Sequence, residues 1–139
     1  EKNGGRGKAV RRGWQEARGS IVVHQDADLE YDPAEIPALI RPIVDGEADV
    51  VYGSRFLGQI EGMMARARLG NRALAGVTNL LYGASLTDPM TCYKAARTEL
   101  LLQLGCREDG FELEPELTAK VLRRGLRVRE VPIGFAARG

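Results

Sequence analysis

Two periods alternate along this chain. Residues 20–25, SIVVHQ, form a short run with β-branched Ile21, Val22 and Val23, bounded by Gly19 and Asp26, which predicts a buried strand. Before it, residues 8–18, KAVRRGWQEAR, read as a short helix opening after a glycine turn. From Asp32 the period lengthens. Ile36, Leu39, Ile40 and Ile43 recur on one face of DPAEIPALIRPIVDG, with Asp32 as cap and Pro33 at the first helical position. ADVVYG, residues 48–53, predicts a second buried strand that ends in Gly53-Ser54-Arg55, and residues 56–62 read as a glycine-containing loop. MMARARLGNRALAGVTNLLYG, residues 63–83, is one long amphipathic helix or two with a break near Gly70. Residues 87–96, TDPMTCYKAA, read as a loop and a short strand, and TELLLQLG as a short helix capped by Thr98. ELEPELTAKVLRRG is a further helix closed by Gly125, and LRVREVPI, residues 126–133, alternates as a strand does. Strands alternating with helices argue for an α/β layered domain with a mainly parallel sheet.

Composition narrows the function classes without choosing one. With 139 residues the chain can build one domain with a sizeable core, and 44% apolar with 28% charged residues is ordinary for a globular protein in water. No run reaches the roughly 18–20 apolar residues of a membrane span, and the start does not look like a signal peptide. A net charge of +1 gives nucleic acid no global electrostatic attraction, so no nucleic-acid partner is expected. Cys92 and Cys106 lack metal-type spacing and read as free or buried thiols. His24 lies inside the apolar strand and reads as a satisfied strand-end histidine. The first residues, EKNGGRGKAV, open in a glycine-rich loop with no strand before it, and the last, PIGFAARG, stop just past a strand, a pattern expected of a fragment.

The charge is distributed unevenly. Residues 26–49 hold eight acids against one base, Arg41, whereas residues 63–72 hold three arginines and no acid. In an open α/β sheet ligands sit beyond the carboxyl ends of the strands, where Asp26-Ala27-Asp28 falls. Residues two apart on an extended chain face one side, so Asp26, Asp28 and Glu30 can converge on one hard cation. Mg²⁺ or Mn²⁺ suits oxygen ligands and shares its shell with substrate phosphates. The alternative is a solvated acidic turn in which Asp32 caps the next helix. NGGRGKA, residues 3–9, offers backbone N–H groups with Arg6 and Lys8 to an anion, or is simply a glycine-rich turn. Arg55 closes the second strand and either binds a phosphate bidentately or pairs with the acids. Arg66, Arg68 and Arg72, beside Met63, Met64 and Leu69, suit an anionic lipid surface or form a solvated helix face.

Taken in order, NGGRGKAV, VVHQDADLEYDPAEIPALIRPI, ADVVYGSRF, GNRAL, LTDPMTCYKAAR, GFELEPELTAKVLRRG and VREVPIGFAAR resemble the family 2 glycosyltransferases. The resemblance is to the branch of dolichyl-phosphate mannosyltransferase and polyprenyl-phosphate glycosyltransferases. It implies a GT-A, Rossmann-like α/β fold over residues 1–139 that lacks the family's N-terminal strands, which hold the base and ribose. It also implies inverting, metal-dependent transfer of a hexose from a nucleotide sugar to a polyprenyl or dolichyl phosphate, by an enzyme peripheral at the cytoplasmic membrane face. By the same resemblance Asp26 and Asp28 match the metal-binding acids, and Glu30 a metal-contacting position. Arg6 matches the substrate-binding basic residue of the glycine-rich loop, Arg138 a late arginine near the diphosphate, and Arg55 an arginine near the acceptor phosphate. Asp88 falls in a loop lining the acceptor side, and Glu114 and Glu116 match a structural or acceptor-side motif. Where some relatives carry an arginine and a serine four apart, this chain has Met64 and Arg68. A saccharide or protein acceptor, or a non-catalytic binding module, are the competing readings.

Overall fold

The computed structural model describes residues 4–137, so Arg138 lies outside the described residues. Helix α1 spans Arg6–Glu16 and strand β1 Ile21–His24. A 3₁₀ turn over Pro33–Glu35 leads into α2, Ile36–Val44. Asp32 accepts the Ala34 N–H at 2.8 Å, as its place before Pro33 predicts. Then come β2 (Val50–Ser54), a 3₁₀ turn over Arg55–Leu57, β3 (Ile60–Glu61) and α3 (Ala65–Tyr82). The remaining elements are β4 (Lys94–Arg97), α4 (Thr98–Leu104), α5 (Leu113–Arg123), β5 (Val128–Pro132) and β6 (Phe135–Ala136).

The strands form a four-stranded sheet in the order β1-β4-β2-β5, with β3 and β6 as a separate two-stranded ladder. Strands β1, β2 and β5 run in one direction, and β4 lies antiparallel between β1 and β2. The sheet is therefore mixed. Its single reversed strand brings the loop before β4 to the same rim as the carboxyl ends of the other three.

Side-chain alternation divides the core into two layers. Val50, Tyr52 and Ala96 face α1, α4 and α5, where Trp14, Leu101, Leu104, Leu113, Leu117 and Val121 are buried. Val51, Tyr93 and Ala95 face Leu39 and Ile43 of α2, with Ile133 and Phe135. Helix α3 is continuous through Gly70 and ends at Gly83, which takes a left-handed conformation. Thr98 does not cap α4 through its side chain. Its hydroxyl instead donates to the Gly19 carbonyl at 2.6 Å, tying the start of α4 to the entry of β1.

Candidate active site at the strand ends

One row of residues crosses the sheet at this rim. His24, Lys94, Tyr52 and Glu130 are consecutive cross-strand partners, so their side chains lie on one face, the face covered by α5. Each is answered by a specific group. Trp14 of α1 donates its indole N–H to Nε2 of His24, with the two ring planes nearly parallel. Lys94 is 2% exposed, lies over the Tyr52 ring, and pairs with Glu114 of α5, also 2% exposed. The Tyr52 hydroxyl and Thr118 share a hydrogen bond at 2.9 Å. Glu130 accepts the backbone N–H groups of Thr87 and Asp88.

The charges continue from this row to the rim. Glu114 accepts from Nη1 of Arg6 at 2.7 Å, and Arg6 turns its Nε and Nη2 edge to Oδ1 of Asp26 at 3.3 and 3.1 Å. Lys94, Glu114, Arg6 and Asp26 thus form one alternating chain of charges. Burial opposes ionisation of Glu114. The Lys94 charge and the bonds from Lys94 and Arg6 outweigh it and hold the carboxyl below its usual range. Burial keeps His24 neutral, with its pKa lowered to about 4. With Nε2 accepting from Trp14, the proton belongs on Nδ1, which is buried and has no hydrogen-bond partner. A hollow of about 300 Å³ lies here, lined by Arg6, Trp14, His24, Gln25 and Asp26.

A second cluster stands at the end of β2. Asp88 is fully buried and accepts from Nε and Nη2 of Arg55 at 2.7 and 2.8 Å, and from the Arg55 backbone N–H at 3.1 Å. This fork leaves Nη1 as the guanidinium nitrogen outside it, and Phe135 provides a platform 5.4 Å away. Cys92 lies between the clusters. Burial, a hydrogen bond to Asp26 and the field of Glu114 push its thiol up to about 12.

Asp28 and Glu30 follow Asp26 in the turn after β1, and Oδ1 of Asp28 accepts the Glu30 N–H at 3.2 Å. Leu29 between them has φ 65° and is 91% exposed. A left-handed, solvent-facing leucine is backbone strain, which the fold keeps in this acidic turn. Among the described residues no three His, Cys, Asp or Glu side chains gather as a ready-made metal cluster.

The structure therefore brings Arg6, Asp26 and Glu114 together, and separately Arg55 and Asp88. Glu116 takes a structural role: it accepts the N–H groups of Arg107 and Glu108 and pairs with Lys120. Lys94, Glu130 and Trp14 were not foreseen. The one sequence signal for Lys94 is a lysine set between Tyr93 and Ala95 in a short apolar strand. Such a lysine requires a buried counter-charge, but nothing in the sequence says that Glu114 supplies it.

Residues 1–104 match the family described as "Glycosyl transferase family 2". The chain is 32% identical over 141 residues to a dolichol-phosphate mannosyltransferase of Pyrococcus furiosus, covering 99% of this chain and 39% of that protein. It is 36% identical over 118 residues to a dolichyl-phosphate hexose transferase of Haloferax volcanii, covering 85% and 51%. In structure it is similar to glucosyl-3-phosphoglycerate synthase of Mycobacterium tuberculosis in complex with Mn²⁺, UDP-glucose and phosphoglyceric acid. There the TM-score is 0.72 and the identity 26%, over 97% of this chain and 48% of that one. The chain spans about half the length of these proteins or less.

Proposed function

The chain belongs to glycosyl transferase family 2, and on that premise we propose that the protein transfers a hexose from a nucleotide sugar to a polyprenyl phosphate, inverting the sugar's anomeric centre. The layered α/β arrangement is that of a GT-A domain. The single observation that carries the reading is the shared rim. Asp26 with Arg6 at the end of β1, and Arg55 forked to Asp88 at the end of β2, flank Cys92 on the same edge of the sheet. The names of the two dolichyl-phosphate relatives support the acceptor class, and the solved complex supports a nucleotide sugar and a divalent cation.

The residues at the rim fit Mg²⁺ or Mn²⁺ by donor chemistry. Asp26 and Asp28 offer hard carboxylate oxygens, with Glu30 beside them, and both Arg6 contacts to Asp26 fall on a single oxygen. Two carboxylates with substrate phosphates completing the shell is an arrangement such cations accept without a three-carboxylate cage. When bound, the cation draws charge from the diphosphate leaving group.

The chain's own residues supply the rest. Arg6, joined by Arg138 from outside the described residues, holds the donor diphosphate. Arg55, fixed by Asp88, presents Nη1 to the acceptor phosphate. A phosphate monoester is already an anion at neutral pH. Its oxygen attacks the sugar's C1, and the C1–oxygen bond to the diphosphate breaks on the opposite side. No strong general base is required, in keeping with a neutral His24 and a protonated Cys92. Peripheral attachment at the cytoplasmic membrane face fits α3, which carries Arg66, Arg68 and Arg72 in its first half and exposed Leu69, Val77, Leu80 and Leu81 along its length. No helix among the described residues is long and apolar enough to cross a membrane.

The test offers the full-length protein radiolabelled nucleotide sugar with a polyprenyl phosphate, a free saccharide or 3-phosphoglycerate as acceptor. Label in the lipid fraction is the expected result. Label only in the saccharide or in 3-phosphoglycerate would contradict the lipid reading. Failure to bind the nucleotide sugar at all would favour a non-catalytic module.

A further inference from the structure

We propose that Arg6 is an exchange latch for the metal site. In this structure its guanidinium donates to Asp26. On donor binding the same edge passes to the diphosphate, while Nη1 stays anchored on Glu114. The inference rests on the donor-binding reading above and adds to it a mechanism that couples metal to nucleotide.

The two ends of the Arg6 contact are unequal. The Glu114 end is short, at 2.7 Å, and lies in the closed interior, where the Glu114 side chain is 3% exposed. The Asp26 end is longer, at 3.1 and 3.3 Å, and opens on the rim, where the Asp26 side chain is 32% exposed. Glu114 is itself immobilised by Lys94, which also donates to the Thr91 carbonyl. The Phe111 ring lies 5.7 Å from the guanidinium carbon and gives it a flat surface on which to pivot. A guanidinium held at Nη1 exposes Nε and Nη2 as a fork, the shape that takes two oxygens of a carboxylate or a diphosphate.

The exchange makes two bindings depend on each other. A cation arriving alone at the other Asp26 oxygen meets the Arg6 charge held on Oδ1, and driving Arg6 off leaves the fork unpaired. A diphosphate arriving alone draws the fork away and leaves Asp26 bare beside an anion. When both arrive, Asp26 meets the cation, the fork meets the phosphates, and Glu114 keeps its partners. Metal and nucleotide therefore bind with positive coupling, and Arg6 adds its share to the coupling that comes from phosphates completing the cation's shell.

The experiment titrates Mn²⁺ into the full-length protein by electron paramagnetic resonance, with and without UDP. The wild type is expected to bind Mn²⁺ about tenfold or more tightly when UDP is present. Arg6→Gln is expected to bind Mn²⁺ alone more tightly than the wild type, by about three- to tenfold, and to show a UDP effect smaller by about the same factor. Arg6→Lys keeps the charge but cannot hold Glu114 and present a two-donor fork together, so its coupling also falls. The latch is overturned if Arg6→Gln binds Mn²⁺ alone no better than the wild type, or if either variant keeps the full UDP effect. Absence of both Mn²⁺ and UDP binding in the wild type removes the donor-site reading and the latch together. Circular dichroism melting confirms that the variants are folded, as expected because Glu114 retains Lys94.

Discussion

His24 and Glu114 show how burial decides what a titratable side chain can do. Glu114 stays charged in the interior because two cations hold it. Its contribution to stability is complete above the ordinary carboxylate value of 4.5 and is lost as pH falls below it. His24 lacks an equivalent partner and stays neutral. Its folded pKa, about 4, lies under the ordinary 6.5, so the unfolded chain takes up the proton first as pH falls. Its contribution is full above 6.5 and is lost between 6.5 and 4, a difference of roughly 3 kcal/mol. His24→Gln keeps an acceptor for Trp14 and removes the titration. Urea unfolding at pH 7, 5.5 and 4.5 is expected to show this variant gaining on the wild type as pH falls. A constant difference would contradict the assignment. At this scale the sequence was a partial guide. Asp26 and Arg55 announce themselves by ending strands, but the pairings Arg6–Asp26, Arg55–Asp88 and Lys94–Glu114 join residues 20, 33 and 20 positions apart, and local patterning carries no such distances.

At the scale of elements, α3 is the informative case. Its glycine at position 70 suggested a break, yet the helix runs unbroken from Ala65 to Tyr82. A Cβ added at Gly70 or at Gly76 meets nothing within 4 Å, and neither residue has a positive φ. These glycines weaken a helix that needs neither of them. Gly70→Ala and Gly76→Ala are each expected to raise stability by about 0.5–1 kcal/mol, read as a shift in the urea midpoint. A destabilised variant would show that the outer face of α3 meets a close neighbour in the full protein. Gly58 is the opposite case, since a Cβ there would stand 2.0 Å from the Ile133 carbonyl oxygen. Long periodic segments such as α2, α3 and α5 were legible because their apolar positions repeat over several turns. The two-residue strands β3 and β6 were not, because a pair of residues has no period.

For the molecule as a whole, alternation of strands and helices was enough to read a layered α/β domain, but not the reversal of β4. A buried strand carries the same apolar run whichever way it points. That reversal matters functionally, because it sets the Asp88–Thr91 loop beside the ends of β1 and β2 and so puts Asp88 under Arg55. The rim then carries two clusters on one edge of the sheet, Arg6 with Asp26 and Glu114, and Arg55 with Asp88. On the proposed function, this rim transfers sugar only with a divalent cation held by the acids after β1. The direct measurement is hexose transfer to polyprenyl phosphate by the full-length protein, wild type and Asp28→Asn, in Mn²⁺ and again in EDTA. Chelation is expected to abolish transfer, Mn²⁺ to restore it, and Asp28→Asn to lower kcat/KM by roughly a hundredfold or more. Undiminished transfer in EDTA, or by Asp28→Asn in Mn²⁺, would contradict the proposed function.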